Sequence, residues 1–261
     1  MGWNIGIFSY NLIYSAIPKM WKQILMGYKP TQNVNCKVYL KIKGILTNLT
    51  NVSNRDLYFE LIRTKVKEPS SIDTWIDIFP FLENVSWKAI FQNTHHITPD
   101  TYLQTFQYKV LNRITNCKYN LYKWNIKDQP FCDFCNHIDT IEHHFYLCGF
   151  TKLFWERLSD HLFMVLNLEK ELHLTICEVI FGIEYTKNPS AINRIINMFT
   201  VIGKWYINNC RTYEKQISFD KFLHIARNKF SLYKKIYSKS NRRFDEEIFM
   251  ILENVNLWYL Y

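Results

Sequence analysis

The chain has 261 residues, of which 48% are hydrophobic, 17% aromatic and 21% charged, and its formal net charge is +9 at pH 7. A chain of this size and hydrophobicity can bury a large core, which excludes disorder as its main state. No stretch approaches the roughly 20 uninterrupted apolar residues of a membrane span, and no signal-peptide cleavage site follows the opening residues. We therefore expect an intracellular protein that does not associate with membranes.

The fold class predicted from composition is mostly α. Lys, Asn, Ile, Tyr and Phe are frequent, and there are only seven Gly and seven Pro. This composition favours long helices over a turn-rich β-sandwich. Capping residues and apolar spacing predict helical segments over the following stretches: 52–69, two short pieces in 70–93 separated by Pro80, 100–114 after the cap residues Thr98 to Asp100, 151–166, 173–183, 191–210 and 219–237.

Positive charge is concentrated in two parts of the chain. Six lysines lie between residues 19 and 55, and the first acidic residue is Asp56. Residues 204–243 carry eleven Lys or Arg against two Asp or Glu, whereas residues 132–203 carry five against nine. Such basic stretches are typical of surfaces that bind phosphate, and they also occur as solvated faces of lysine-rich proteins.

The predicted helix 219–237 is both amphipathic and basic. Its apolar face consists of Phe222, Leu223, Ala226, Phe230 and Tyr233. Its remaining surface carries Lys221, Arg227, Lys229, Lys234 and Lys235. A basic helix with interleaved aromatic residues indicates nucleic-acid binding, and an ordinary surface helix gives the same pattern.

The stretch CDFCNHIDTIEHHFYLC, residues 132–148, contains three cysteines and three histidines. Two cysteines separated by two residues, followed by His and Cys, are typical of a closed four-ligand site for one structural Zn²⁺. We therefore expect a short CCHC hairpin within a multi-helix assembly. Spacing leaves the histidine open: on a regular helix His144 shares a face with Cys148, whereas His143 requires the helix to loosen before Cys148.

Residues 87–148 resemble the zinc-binding region that follows the reverse transcriptase in LINE-type (non-LTR) retrotransposon polyproteins. The matching segments are YLQTFQYKVLNRI, NLYKWNI and the cysteine-rich stretch, and the resemblance extends to LIYSAIPKMWKQIL upstream and to FWERL and VIFGI downstream. The resemblance implies His143 as the histidine, so that the zinc ligands are Cys132, Cys135, His143 and Cys148. It also implies three regions: a basic post-polymerase (thumb or connector) region 1–86, a zinc-binding region 87–150 and a C-terminal helical region 151–261.

The catalytic motifs of LINE proteins are not found in this sequence. Their polymerase requires an Asp-Asp pair for two metal ions, and the only adjacent acidic residues here are Asp245, Glu246 and Glu247. The only proline after Cys148 is Pro189, which Ser190 follows, so the Pro-Asp of the LINE nuclease is missing. We interpret the Ser159-Asp160-His161 triplet as chance. The prediction is a protein that is not an enzyme and has no small-molecule substrate.

The expected role of the zinc is structural. No Lys or Arg lies between Cys132 and Cys148, so we expect the hairpin to join a helix ending near Ile114 to one beginning near Thr151. We expect Phe134, Phe145 and Tyr146 to pack around the zinc rather than to stack on bases. RNA or DNA contact is predicted for Lys19, Lys22, Lys37, Lys41, Lys43, Lys221, Arg227, Lys229, Lys234, Lys235, Arg242 and Arg243.

The resemblance implies a module that holds template RNA or target DNA during target-primed reverse transcription, alone or with a separate reverse transcriptase chain. Its expected location is the nucleus or a cytoplasmic ribonucleoprotein. The alternative hypothesis is a structural remnant of a decayed element, folded by zinc and without nucleic-acid binding. The start at Met1, inside a segment that resembles the post-polymerase region, favours a fragment under either hypothesis.

Overall fold

The structure, a computed structural model, describes residues 22–23, 39–42, 44–48, 51–63, 67–183, 190–237, 247–248 and 250–252. The chain forms two compact units, Met1–Lys67 and Glu68–Tyr261. The predicted mostly helical fold is confirmed, while the division into three regions stays a prediction. In the described part of the chain, no helix has both the length and the hydropathy needed to cross a membrane.

The first unit contains a β-hairpin followed by a helix. Strand β1 (Tyr39–Ile42) pairs antiparallel with β2 (Ile45–Asn48). Gly44, with φ of +86°, lies in the tight turn, where a left-handed conformation favours glycine. Helix α1 (Asn54–Arg63) begins at a Ser53 cap, whose hydroxyl accepts a hydrogen bond from the Asp56 N–H at 3.1 Å. The sequence predicted the helix but not the hairpin.

The second unit consists of helices around one core. Its elements are α2 (Ser71–Ile78), a 3₁₀ helix (Pro80–Asn84), α3 (Trp87–Ile97), α4 (Thr101–Leu111), α5 (Lys118–Lys123), a π turn (His143–Leu147), α6 (Gly149–Val165), α7 (Ile176–Phe181), α8 (Ala191–Thr212) and α9 (Phe219–Tyr237). The long helix α8 packs against α3, α4, α7, α9 and the π turn, so it is the central element.

Capping residues set where the helices begin. The Asp100 carboxylate accepts hydrogen bonds from the N–H groups of Tyr102 and Leu103, which starts α4 where the cap signal predicted. The Ser190 hydroxyl accepts from Asn193 N–H at 3.2 Å at the start of α8. These side chains satisfy N–H groups that have no partner inside the helix.

The apolar faces predicted from helical spacing are largely buried. All five predicted apolar residues of α9 are buried in the core. For α6, helical spacing in the sequence predicts one apolar stripe of Leu153, Phe154, Leu158, Leu162 and Val165. The last four are buried, but Leu153 is 63% exposed. Leu153 therefore belongs to the outer side of α6, one position away from the stripe that packs on the core.

Gly203 of α8 lies against the side chains of Phe154 and Trp155 of α6. A Cβ atom at Gly203 would lie 2.8 Å from the Trp155 ring, closer than a real Cβ can approach. Trp155 is almost fully buried, and its indole N–H donates to the Phe145 carbonyl oxygen of the π turn. The absence of a side chain at Gly203 thus allows α8 to pack against α6 and, through Trp155, against the cysteine-rich segment.

Candidate metal centre

The first two cysteines lie on a short knuckle. Phe131 and Ile138 form an antiparallel bridge, and the Cys132 N–H donates to the His137 carbonyl oxygen at 2.8 Å. Asn136 has φ of +58°, a left-handed conformation that Asn adopts more readily than most residues, and this closes the turn. Cys132 and Cys135 are therefore presented from one tight loop.

The helix that carries His143 is widened into a π turn. The Cys148 N–H donates to the His143 carbonyl oxygen at 3.2 Å, five residues back rather than four. In this wider turn His143 and Cys148 lie on the same side. The helix is thus widened before Cys148, as metal binding by His143 requires. His143, and not His144, belongs to the cluster.

The ligand atoms of Cys132, Cys135, His143 and Cys148 all lie within 4.8 Å of one another and can hold a metal ion. Cys135 Sγ is 3.2 Å from His143 Nε2 and 3.9 Å from Cys148 Sγ. Three of these residues are buried and Cys135 is half-buried. The four positions predicted from the sequence are thus brought together by the fold.

Asp139 organises the interior of the segment. It is buried, and one carboxylate oxygen accepts hydrogen bonds from the Lys118 backbone N–H and from His144 Nδ1, both at 3.0 Å. Burial raises the pKa of Asp139, but these donors and Arg211 lower it by more, so its pKa lies below the usual range. His144 is therefore a partner of Asp139 and stands outside the cluster.

Arg211 reaches the cluster from α8. Its Nη1 donates to Asp139 Oδ1 at 3.0 Å and lies 3.4 Å from Cys132 Sγ, and the side chain is buried. Sequence reasoning missed this contact, because it counted charge only between Cys132 and Cys148. Because Arg211 is far from the cysteine-rich segment in the sequence, no local sequence pattern indicates the contact. The fold thus supplies to the segment a cation that its own sequence lacks.

The surroundings act differently on the cluster's thiols. Burial raises the pKa of Cys132, but the Phe134 backbone N–H and Arg211 lower it by more, so this thiol ionises more readily than usual. Burial, together with the neighbouring thiols, raises the pKa of Cys135 to about 11. Burial lowers the pKa of His143, which favours the neutral, ligating imidazole. Cys132 therefore ionises more readily than Cys135.

The three aromatic residues of the segment pack within the protein. Phe145 is fully buried, and its ring centroid is 6.0 Å from that of Phe106 in α4. Phe134 lies 5.3 Å from Phe150 at the start of α6. Tyr146 is half-buried beside the core. The cysteine-rich segment leads directly into α6, as the sequence predicted, but the short helix α5 lies between the segment and α4, so the expected direct junction with the helix ending near Ile114 is wrong.

The predicted nucleic-acid-binding residues occupy several places. Lys19, Lys37, Lys43, Arg242 and Arg243 lie outside the described residues. Lys22 and Lys41 belong to the first unit. On α9, Lys221, Arg227, Lys234 and Lys235 are exposed.

Lys229 differs from the other predicted basic residues of α9. It is half-buried, and its Nζ lies 2.8 Å from Asp100 Oδ2 and 4.8 Å from the centre of the Trp205 ring. Burial raises the pKa of Asp100, but Lys229 and the N–H groups of α4 lower it by more. The Lys229 ammonium therefore holds α9 to the start of α4 within the chain.

Comparisons of the chain with protein-family models, with curated proteins and with solved structures find no match. The chemistry of the site therefore rests on the geometry of its own residues.

Proposed function

We propose that the protein is a non-catalytic, zinc-stapled helical module that binds nucleic acid. The observation that carries the proposal is the closed cluster of Cys132, Cys135, His143 and Cys148 between α5 and α6. Four protein ligands leave no open coordination position for water or substrate, which is typical of structural sites. The staple holds together the helical assembly, and α9 with its basic surface is part of that assembly.

The donor set and its spacing favour Zn²⁺. Tetrahedral zinc with Zn–S of about 2.3 Å and Zn–N of about 2.0 Å gives ligand atoms about 3.5 to 3.8 Å apart. The distances from Cys135 Sγ to His143 Nε2 and to Cys148 Sγ, 3.2 and 3.9 Å, bracket this range. A bound divalent cation would deprotonate the thiols despite their burial, because coordinated thiols lose their protons.

The proposed partner is RNA or DNA, and the proposed setting is a LINE-type element. The resemblance of residues 87–148 to the zinc-binding region of those proteins supports this setting, and the exposed cations of α9 support the partner. In this proposal the module helps to hold template RNA or target DNA during target-primed reverse transcription. Zinc fixes the fold, and the lysines and arginines neutralise phosphates.

The test is the affinity of the purified chain for single-stranded RNA and duplex DNA over a series of salt concentrations. The informative variant changes Arg227, Lys234 and Lys235 to Gln, since all three are exposed on α9. Its matched control changes the exposed Lys123, Lys127 and Lys152 to Gln, which removes the same charge elsewhere. Lys229 is left intact because it holds α9 to α4.

We expect the α9 variant to lower the slope of log affinity against log salt by about 2 for single strands, at about 0.7 per phosphate contact. The control variant should change the slope less, although it has the same net charge. Equal salt slopes for the two variants would show that the binding surface is not on α9. A wild-type chain that binds neither nucleic acid at low salt would contradict the proposal and leave the zinc-folded remnant.

A further inference from the structure

A cleft of about 640 Å³ lies where α8 ends and α9 begins. Trp205 and Tyr213 line it from the α8 side, and Lys221 and His224 line it from the first turns of α9. Lys215 contributes from the connecting loop. The cleft thus combines aromatic side chains, Tyr206 among them, with basic ones in the most basic part of the chain.

The aromatic side chains Tyr213 and Trp205 are open to a ligand in different ways: the first by its exposure, the second by its unfilled hydrogen bond in the described part of the protein. Tyr213 is 67% exposed, so most of its ring is open to solvent. Trp205 is half-buried, and its indole N–H is buried without a hydrogen-bond partner in the described part of the protein. Exposed flat rings offer stacking surfaces, and stacking on unpaired bases tolerates any base.

Cations stand beside these rings. Lys215 Nζ is 5.4 Å from the centre of the Tyr213 ring, and Lys221 lines the same cleft. Asp220 is the one carboxylate among the residues that line it, and Glu214 adjoins Tyr213 in the sequence. An aromatic face next to a lysine matches a nucleotide, which presents a flat base and a phosphate together.

A second groove is also lined by aromatic residues but has less basic charge, and this difference favours the cleft between α8 and α9 as the binding site. This groove, about 540 Å³, runs beside α6 and is lined by aromatic residues that include Phe134, Phe150 and Phe219. Arg157 is its single basic residue, and it lies in the part of the chain in which acidic residues outnumber basic ones. A phosphate would gain less there than beside Lys215 and Lys221.

We propose that the cleft between α8 and α9 holds an unpaired nucleobase against Tyr213 and Trp205, with its phosphate beside Lys215 and Lys221. The protein then prefers single-stranded to duplex nucleic acid, because the faces of paired bases in a duplex are covered by their neighbours. This inference rests on the proposed nucleic-acid binding and assigns to it a site and a type of strand.

The experiment compares Tyr213→Ala with Tyr102→Ala, a tyrosine of α4 with a similar exposure of 65%. The probes are a 12-nucleotide oligo(U) and a duplex DNA of the same length. We expect Tyr213→Ala to weaken oligo(U) binding by about 5- to 150-fold, the effect of losing one stacked base. Tyr102→Ala should leave it unchanged, and duplex binding should be the same for both variants.

The phosphate contact is tested with Lys215→Ala and Lys221→Ala against Lys152→Ala, an exposed lysine of α6. Each cleft variant should lower the salt slope for oligo(U) by about 0.7, and the control should lower it less. Circular dichroism and thermal melting establish that each variant is folded, which the exposure of these side chains leads us to expect.

The outcomes separate this inference from the proposed function. If the wild type binds oligo(U) with a steep salt slope but Tyr213→Ala behaves like Tyr102→Ala, the cleft is not the binding site of the nucleobase. The proposal of nucleic-acid binding then still stands. If Tyr213→Ala weakens duplex and oligo(U) equally, the single-strand preference is wrong. If the wild type binds neither probe at low salt, nucleic-acid binding itself fails and this inference fails with it.

Discussion

The guanidinium of Arg211 contacts two residues of the cysteine-rich segment, although 72 to 79 residues separate them in sequence. It is buried against Asp139 and Cys132. Three thiolates and one Zn²⁺ together carry one net negative charge, which costs free energy in a buried site unless a cation lies close. Arg211 joins the segment to α8, and it would also stabilise the centre that we propose when zinc occupies it.

We predict that Arg211→Met weakens zinc binding by about 10- to 100-fold, the usual effect of losing a side chain that supports metal ligands. Competition with a chromophoric chelator measures the affinity. Arg157→Met, which removes an exposed arginine of α6, is the control. Arg211→Lys should restore part of the affinity because it keeps the charge. Equal zinc affinities for Arg211→Met and Arg157→Met would rule out this role.

At the scale of elements, a buried lysine joins α8 to the end of α7. Lys204 is 1% exposed, and its Nζ donates to the Ile180 carbonyl oxygen at 3.0 Å. The same carbonyl accepts from Gln107 Nε2 of α4 at 2.8 Å, so three helices meet there. Burial holds the pKa of Lys204 well below its usual 10.5. The ammonium form is therefore disfavoured in the folded state.

We predict that Lys204→Met raises the free energy of unfolding at pH 7, because burial disfavours the ammonium form of Lys204 and methionine carries no charge. The unfolded chain binds a proton that the folded chain disfavours, so wild-type stability rises with pH between the lowered pKa and 10.5. The advantage of Lys204→Met should therefore shrink over that interval. Urea unfolding at several pH values measures both effects.

The control for this prediction is Lys152→Met, an exposed lysine on α6. It should change stability by less than about 0.5 kcal/mol, because it is a surface substitution. A Lys204→Met variant that is less stable than the wild type at pH 7, with an unchanged pH profile, would show that the hydrogen bond to Ile180 outweighs the cost of burial.

Local sequence patterns predicted the elements well and the contacts between them poorly. Helix α9 spans Phe219–Tyr237, the stretch that spacing and amphipathicity indicated. The hairpin of β1 and β2 was missed because its strands are only four residues long and the composition favoured helices. A Gly at position 44 between two short apolar stretches was the available signal.

The sequence analysis predicted the four residues of the candidate site but not the contacts that hold them in place. Cysteine spacing indicated three of the four positions, and the resemblance indicated the fourth, His143. The π turn that brings His143 beside Cys148 depends on packing of Phe145 and Trp155 in the core, which spacing does not encode. The Arg211 contact requires α8 to cross the segment, so only the folded chain brings it about.

At the scale of the whole molecule, the cysteine-rich segment lies between two parts of one core. Phe106 of α4, Phe145 of the π turn and Trp155 of α6 are all buried in the same cluster. Structural zinc contributes about 10 to 16 kcal/mol of apparent binding free energy at neutral pH. This is comparable with the whole stability of a typical domain, about 5 to 15 kcal/mol. The second unit should therefore depend on the metal for its fold.

The most direct measurement is zinc content and thermal unfolding of the purified chain, with and without a strong chelator, for the wild type, Cys135→Ser and Cys177→Ser. Cys177 is a half-buried cysteine outside the cluster and serves as the matched control. We predict one zinc per chain in the wild type and in Cys177→Ser, a cooperative transition that chelator abolishes, and loss of both in Cys135→Ser. A wild-type chain without zinc, or one whose unfolding is unchanged by chelator and by Cys135→Ser, would contradict the account.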